Sequence, residues 1–336
     1  MKKSTFPLLA FLLAFVLSSC EHLSDYLDDR DPSKPDVKEF ATGLSTPIGL
    51  EMDKYHRLWV TEAGTGMNDG EVSVITQNGK VYTAIEGFPS VIGPEGDPAG
   101  LNHLLYEDGS LWILHGISGR LYKANVANFV PGDIPIQASD LTYYEIGDFV
   151  TGQGFEESNM YKLTRGPEGD LFIVDAGANS IIRRDAETGD LSVFVTFDKI
   201  KNPTPVGPEF IDPVPTGIVY EEGRFLVTTL TGFPFPEGQA RIYEVSAAGD
   251  VSLYQEGFTT LVDIEMGMPG LPLVLQYAAS GEAGWMPGTG KIIQATGDEA
   301  SVLRSGLSFA SDMELVGARN AYVTNLAEGK VLKVKY

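Results

Sequence analysis

A short apolar segment that recurs six times is the feature that most constrains this chain. Each copy has the character of a β-strand, with Leu, Val, Ile and aromatic residues in succession. Successive copies are about 48 to 60 residues apart, a spacing typical of propeller blades. The copies lie at residues 58–60, 111–113, 171–173, 225–227, 273–275 and 321–323.

The residues around each copy predict a four-stranded antiparallel meander, which is the unit of a β-propeller. In the first copy, Asn78 and Gly79 separate two apolar runs, and both accept the positive φ that a tight hairpin needs. Gly169 and Gly189 take similar turn positions in the third copy. We therefore predict an all-β fold, a six-bladed β-propeller over residues 37–336.

The ends of the domain are predicted to share the sixth blade. That copy stops at Tyr336 after three predicted strands. Residues 37–42 supply the fourth, because segment 40–44 matches the ends of the outer strands in other copies. An N-terminal strand that completes the last blade removes two free sheet edges and closes the ring.

The second copy is irregular. Residues 125–140 are inserted between its predicted third and fourth strands. A long insertion in a compact repeat is typical of a functional loop or a lid.

The N-terminus predicts a lipoprotein signal peptide over residues 1–19. Lys2 and Lys3 precede a short apolar core, and the segment ends in Leu-Ser-Ser-Cys at Cys20, the only cysteine of the chain. The alternative is an ordinary secretory peptide in which that cysteine occurs by chance. Residues 20–36 are predicted to be a lipidated cysteine and an acidic tether. The sequence thus predicts an outer-membrane lipoprotein of the cell envelope, periplasmic or surface-exposed, held in the lipid bilayer by acyl groups on Cys20.

The charge of the chain argues against one class of partner. The formal net charge is −22 at pH 7. Nucleic-acid binding depends on clustered Lys and Arg that neutralise phosphates, so we expect no nucleic-acid partner. We expect a monomeric propeller.

Polar residues at the ends of the predicted inner strands indicate where chemistry could occur. Loops on one face of a propeller surround the central channel, and carboxylates and amides there suit a hard cation such as calcium. We assign the metal-ligand role to Glu62, Asn102, Asp175 and Asp263, with Asp312 nearby. His103 and His115 are the candidate catalytic proton acceptors beside such a metal. The alternative is that these polar groups bind only backbone groups and channel water.

Aromatic residues in two predicted loops of the same face are the candidates for ligand binding. Phe233 and Phe235 alternate with prolines, and Trp285 lies in a glycine-rich loop. Exposed aromatic side chains are common binding hot spots. The alternative is that they plug or cap the channel.

Three segments resemble the ScyD/ScyE family of NHL-like propeller proteins: residues 58–66, 174–180 and 230–238. The resemblance covers nearly all of residues 37–336 and implies a propeller fold, while most members have no established activity. Where members often carry Asn-Pro-Tyr-Gly at the start of blade three, this chain has Asn-Met-Tyr-Lys at residues 159–162. More distantly the chain resembles gluconolactonase and strictosidine-synthase-like propellers, some of which are calcium-dependent hydrolases. Their Glu-Gly-Pro start of blade one is replaced by Thr-Pro-Ile-Gly at residues 46–49.

These observations predict a binding module for a carbohydrate, small-molecule or protein ligand. The alternative function is a divalent-metal-dependent hydrolase of lactones or esters that uses the central channel. An envelope-organising structural role is the third option. Fold alone does not choose among them.

Overall fold

The computed structural model describes residues 37–93, 96–267 and 270–336. The predicted signal peptide, the lipidation site at Cys20 and the tether to residue 36 lie outside the described residues. Six sheets, here called blades 1 to 6, form a six-bladed β-propeller, which confirms the predicted fold; five have four strands, and that of blade 1 has a fifth. In each blade the strands are called a to d, and the a strands of neighbouring blades contact one another around the axis.

Each blade pairs its strands in the order a-b-c-d. Blade 1 consists of Pro47–Met52, Leu58–Glu62, Gly70–Ile75 and Val81–Phe88. Blade 2 consists of Leu101–Glu107, Ser110–His115, Arg120–Asn125 and Thr142–Glu145. Blade 3 consists of Met160–Arg165, Leu171–Asp175, Ser180–Arg184 and Leu191–Thr196. Blade 4 consists of Pro215–Glu221, Arg224–Thr229, Ala240–Ser246 and Val251–Phe258. Blade 5 consists of Leu261–Gly267, Leu271–Gln276, Gly290–Ala295 and Ala300–Leu307. Blade 6 consists of Ala310–Val316, Asn320–Asn325, Lys330–Lys335 and, as strand d, Val37–Thr42.

The ring closes as the sequence predicts. Strand d of blade 6 is N-terminal and pairs antiparallel with the C-terminal strand c, with Val37 opposite Val334. Ala41 and Val331 then pack with Leu50 of blade 1 in one core cluster. Both ends of the domain are therefore held by backbone pairing and by apolar burial.

Several short elements decorate one face of the ring, which we call the loop face. It contains the b–c and d–a connections, and the opposite turn face contains the a–b and c–d turns. The α-helix Ile146–Gly152 lies between blades 2 and 3. Three two-stranded ribbons complete this set: Val91–Ile92 with Pro98–Ala99, Ile200–Lys201 with Phe210–Ile211, and Ala279–Gly281 with Gly284–Met286.

The insertion of blade 2 is a packing element and not a lid. Within it, Ile136–Gln137 pairs in parallel with strand d of blade 1, giving that sheet a fifth strand. A 3₁₀-helix, Ala138–Asp140, follows. Phe129 and Ala138 are buried in the core cluster between blades 1 and 2. The segment thus connects blades 1 and 2 at the rim, on the side away from the loop face.

The described residues contain no helix long and apolar enough to cross a membrane.

Candidate functional site

The axis of the ring is lined from equivalent positions of the six a strands. In every blade the a–b pairing shifts register near the start of strand a. Such a bulge re-aims a side chain out of the sheet. The third residue of each a strand lies at or beside this shift; the six are Gly49, His103, Lys162, Gly217, Asp263 and Asp312.

Two of these six residues are glycines because the axis is crowded. A Cβ on Gly49 would lie 2.7 Å from the Cα of His103, and one on Gly217 would lie 2.8 Å from the Cα of Asp263. Both distances are shorter than real Cβ contacts. The glycines let the neighbouring a strands approach closely.

Lys162 spans the axis from blade 3 to the far side of the ring. Its ammonium Nζ donates to Asp263 Oδ1 of blade 5 and, at 2.8 Å, to Asp312 Oδ1 of blade 6. Glu265 Oε1 is 3.8 Å from the same nitrogen. The Lys162 side chain is only 6% exposed. The carboxylates of Asp263, Asp312 and Glu265 hold the pKa of Lys162 well above its usual value against the opposing effect of burial.

The two aspartates are also bound by backbone amides. Asp312 Oδ2 accepts from the amide of Leu50 at 2.6 Å, and Asp263 Oδ2 accepts from the amide of Met313 at 3.1 Å. Because two buried carboxylates share one ammonium, burial still raises the pKa of Asp263, to about 7. The cluster ties blades 1, 3, 5 and 6 together at the axis.

His103 lies in the same cluster as a neutral group. Its Nδ1 is 2.9 Å from the carbonyl of Tyr161, which can only accept, so Nδ1 bears the ring proton. Nε2 lies 3.7 Å from Asp312 Oδ2 and has no hydrogen-bond partner among the described residues. Burial and the nearby Lys162 charge lower the pKa of His103 to about 3. His103 is therefore uncharged at neutral pH.

Three glutamates lie two residues further along the a strands, towards the turn face. They are Glu51, Glu265 and Glu314, from the adjacent blades 1, 5 and 6. Burial raises the pKa of each well above its usual value, although Lys162 opposes the shift. The axis is thus acidic below Lys162.

The candidate metal ligands do not meet at one point. Among residues 37–93, 96–267 and 270–336, no set of three or more His, Cys, Asp or Glu side chains is arranged to hold a metal ion. Asp263 is bound to the Lys162 ammonium, which would repel a divalent cation there. The donor set at the axis therefore does not fit calcium.

Glu62 is buried within blade 1. Its Oε2 accepts from the amide of Ser45, its Oε1 has no partner in the described part of the chain, and Glu71 lies opposite on strand c. Burial raises the pKa of Glu62 to about 7.

Asp175 and Asn102 organise the entry to blade 3. Asp175 Oδ1 accepts from the amides of Asn159 and Ala178 at 2.8 and 3.0 Å. Asn102 Nδ2 donates to Asn159 Oδ1 at 3.0 Å and to the carbonyl of Met160 at 2.5 Å. Both side chains thus hold connections of the loop face in place by hydrogen bonds. This is the alternative to metal binding that the sequence predicts, in which polar residues around the channel bind only backbone groups and water.

His115 lies away from His103, at the end of strand b in blade 2. Its Nε2 is 2.9 Å from the carbonyl of Pro89, and its Nδ1 accepts from the amide of Ser118 at 3.1 Å. Burial lowers the pKa of His115. The two histidines thus occupy separate, internally bonded positions.

The predicted aromatic residues do come together. Phe235 and Trp285 have ring centroids 4.7 Å apart, and Phe233 lies 6.2 Å from Phe235. Tyr277 packs edge-on against Trp285 at 5.4 Å. The structure adds Phe309, 5.9 Å from Tyr277. We call these five residues the aromatic ledge; it extends over blades 4 to 6 on the loop face.

The ledge is exposed at Phe233 and half-buried at its other four residues. The Phe233 side chain is 59% exposed. A Cβ on Gly207 would lie 3.3 Å from Phe233, so the ribbon between blades 3 and 4 borders the ledge. The apolar residues Val206, Phe210 and Met286 of neighbouring loop-face segments are also exposed. An exposed apolar surface of this kind is typical of a binding site.

The sequence reasoning missed Lys162 as the central residue. Its signal was present, because this lysine stands where the resembled family pattern has glycine. It also missed Tyr277 and Phe309 as parts of the ledge, since isolated aromatic residues near strand ends do not reveal a shared surface.

Comparisons with known proteins support the fold. No family model matches the chain, and no curated protein matches it. Among solved structures, virginiamycin B lyase from Staphylococcus aureus is 13% identical, with 89% of this chain and 99% of that chain covered and a TM-score of 0.53. A Bacteroides thetaiotaomicron protein of unknown function is 10% identical, with 89% and 75% covered and a TM-score of 0.60. The PQQ-bound aldose sugar dehydrogenase from Streptomyces coelicolor is 13% identical, with 90% and 99% covered and a TM-score of 0.59.

At such identities the likeness concerns the fold alone. The neighbours named include a lyase and a dehydrogenase, so one architecture accommodates unrelated reactions. This chain is a six-bladed β-propeller, and its function has to be argued from its own residues.

Proposed function

We propose that this protein is a binding module that holds a neutral carbohydrate on the aromatic ledge. The single observation behind the proposal is the convergence of Phe233, Phe235 and Trp285 on the loop face, with Phe233 mostly exposed. Exposed aromatic rings with polar edges around them suit the apolar faces of sugar rings.

The charge of the chain narrows the ligand class. The net charge of −22 opposes polyanions, and the ledge loops themselves contain the exposed Glu237 and Glu282. An acidic polysaccharide would be repelled over a distance of about one Debye length, ~8–10 Å at ordinary salt. A neutral saccharide avoids this cost.

The proposal is tested by titrating the protein with cellohexaose, maltohexaose and chitohexaose while the tryptophan fluorescence is recorded. Trp285 lies in the ledge, so a ligand there is expected to change its emission. Phe233→Ala and Trp285→Ala should each weaken binding at least about tenfold, which is the effect of a hot-spot residue of ~1.4 kcal/mol or more. Isothermal calorimetry measures the Trp285→Ala variant, which lacks the fluorescent reporter.

The matched control is Tyr55→Ala. Tyr55 is also an exposed aromatic residue, at 53%, but it lies in the a–b turn of blade 1 on the turn face. It should bind as the unmodified protein does. Absence of saturable binding to all three oligosaccharides, or equal loss in Tyr55→Ala, would contradict the proposal.

Metal-dependent hydrolysis is the alternative function that the sequence predicts. It needs several oxygen ligands within coordination distance of one point beside an open pocket. Here Asp263 is engaged with Lys162, while Glu62 and Asp175 are bound to amides of separate loop-face connections. The geometry favours binding over this alternative.

The anchoring of the protein belongs to the same proposal. A lipid at Cys20 and a tether over residues 20–36 would place the propeller at a membrane surface, with the loop face free to meet envelope glycans. Labelling with a radioactive fatty acid tests the anchor: label should be incorporated into the unmodified chain and not into Cys20→Ser. We also propose that this chain is a member of the ScyD/ScyE family, because residues 58–66, 174–180 and 230–238 resemble that family.

A further inference from the structure

A basic cleft lies on the turn face between blades 2 and 3, away from the aromatic ledge. Its volume is about 340 Å³. The side chains that define it are Trp112, Tyr144, Lys123, Arg165, Arg184 and Glu107. Three cations in one cleft are unusual in a chain with a net charge of −22.

The three cations converge on one aromatic surface. Lys123 Nζ is 4.5 Å from the ring centroid of Trp112, and Arg184 Cζ is 4.2 Å from that of Tyr144. Arg165 Cζ lies 5.5 Å from the Trp112 ring. The ring faces hold these cations in place by cation–π attraction.

Only one of the cations is neutralised within the cleft. Arg165 donates to both carboxylate oxygens of Glu107 and to the carbonyl of Gly169. Lys123 and Arg184 form no ion pair with a carboxylate in the described ranges. Two positive charges of the cleft are therefore uncompensated locally.

Two donors of the cleft side chains also lack acceptors. Trp112 Nε1 and Arg184 Nε are buried and have no hydrogen-bond partner in residues 37–93, 96–267 and 270–336. A buried N–H without an acceptor costs about 1–3 kcal/mol. Both belong to the side chains that border the uncompensated charge.

We propose that this cleft is a binding site for a small oxyanion, a phosphate or a carboxylate group. The guanidinium of Arg184 presents a planar fork that suits such a group, and the Lys123 ammonium adds a second charge. The cleft volume admits a group of that kind attached to a ligand of about monosaccharide size. The site is independent of the proposed carbohydrate ledge.

The test records ¹H–¹⁵N spectra of the purified protein during titration. The chain has three tryptophans, so three indole N–H signals are expected, and Trp112→Phe assigns that of Trp112. Inorganic phosphate and glucuronate are titrated separately, with sodium chloride at matched ionic strength as the reference. The Trp112 signal should shift saturably with at least one of the two anions and not with chloride; the anion that gives saturation identifies the group bound.

Variants separate this site from general charge effects. Arg184→Gln and Lys123→Gln should each raise the dissociation constant about tenfold, the effect of one lost charge-assisted contact. Lys80→Gln and Arg224→Gln are matched controls, because Lys80 lies 4.5 Å from the Tyr82 ring and Arg224 lies 5.7 Å from the Tyr254 ring. The controls should leave binding unchanged.

Three results would overturn the proposal: no saturable shift with either anion, an equal shift with chloride, or equal weakening in the controls. Lys123 is exposed, so Lys123→Gln is expected to fold even if Arg184→Gln does not. Circular dichroism of each variant confirms folding before titration.

Discussion

Replacement of Lys162 by Met is the sharpest test of how the axis is held together. Methionine fills a similar volume, so the packing loss is small and the main effect is electrostatic. Asp263 and Asp312 would each lose an ammonium partner while staying buried. Breaking a buried ion pair by removing one partner costs about 3–5 kcal/mol, because a charge is left buried without compensation. We expect a loss in this range in the free energy of unfolding, measured by urea denaturation near pH 7.5.

A rescue experiment distinguishes this cause from lost packing. In the triple variant Lys162→Met, Asp263→Asn, Asp312→Asn the buried charges are absent, and most of the stability should return. The loss in Lys162→Met alone should also shrink as the pH falls from about 8 to about 5, since the orphaned carboxylates take up protons in the folded state. A loss below about 1 kcal/mol, or a triple variant as unstable as the single one, would refute the reasoning.

Three further predictions concern single positions. Burial raises the pKa of Glu62 from 4.5 to about 7, so the free energy of unfolding should fall by about 3 kcal/mol as the pH rises through this range. Glu62→Gln should lack this decline, as parallel urea denaturation of both proteins between pH 4 and 8 would detect. Identical pH profiles of the two proteins would contradict the prediction. Gly217→Ala would place a Cβ 2.8 Å from the Cα of Asp263 and should cost about 1–3 kcal/mol, whereas Gly152→Ala, with no atom within 4 Å, should be near neutral in the same thermal melts. Calcium should give no stoichiometric heat in calorimetry of the unmodified protein, because the Lys162 ammonium carries the positive charge that a metal ion would carry between the carboxylates of Asp263 and Asp312. A stoichiometric calcium site that disappears in Asp263→Asn would contradict this.

The fold could be predicted because propeller blades repeat the same local pattern. The apolar b strands recur in every blade and the short glycine-containing c–d turns in blades 1, 3, 4 and 5, while ring closure follows from the missing fourth strand of blade 6. The b strands of blades 1, 2, 3, 4 and 6 end at the predicted polar residues, which are Glu62, His115, Asp175, Thr229 and Asn325; that of blade 5 ends at Gln276, one residue before the predicted Tyr277. Many other boundaries lie one to three residues away; at the starts of the a strands the bulges break the apolar alternation.

The channel could not be predicted to the same degree. Polar residues at the ends of strand b and at the starts of strand a were expected near the axis as one set, yet only the third residue of strand a reaches it, as His103, Asp263 and Asp312 do. Asp263 and Asp312 therefore meet Lys162, while Glu62 and Asp175 bind loop amides. One strand and the register shift in it decide which side chain reaches the axis, and neither is visible in residue type alone.

The insertion of blade 2 shows a similar limit. Its length predicts a functional loop or a lid, but Ile136 pairs with Ile85 of blade 1 and Phe129 packs 6.1 Å from the Trp59 ring. A two-residue parallel pairing has no recognisable sequence pattern. Because the insertion lies in a c–d connection, its position on the side away from the loop face follows from the order of the strands.

The Lys162 cluster also restricts where this protein can act. Lys162, Asp263, Asp312 and His103 are all buried at the level of the third a-strand residue, so hydrogen-bonded side chains occupy part of the axis there. A ligand on the loop face would be separated by these side chains from the acidic segment around Glu265. The loop face offers the aromatic ledge, with Phe233 exposed, as the outer surface on which we propose that binding occurs. Lys162 is compatible with the proposed binding function: its ammonium carries the positive charge that a metal ion would carry between Asp263 and Asp312, and its hydrogen bonds join the blades of the ring that presents the ledge.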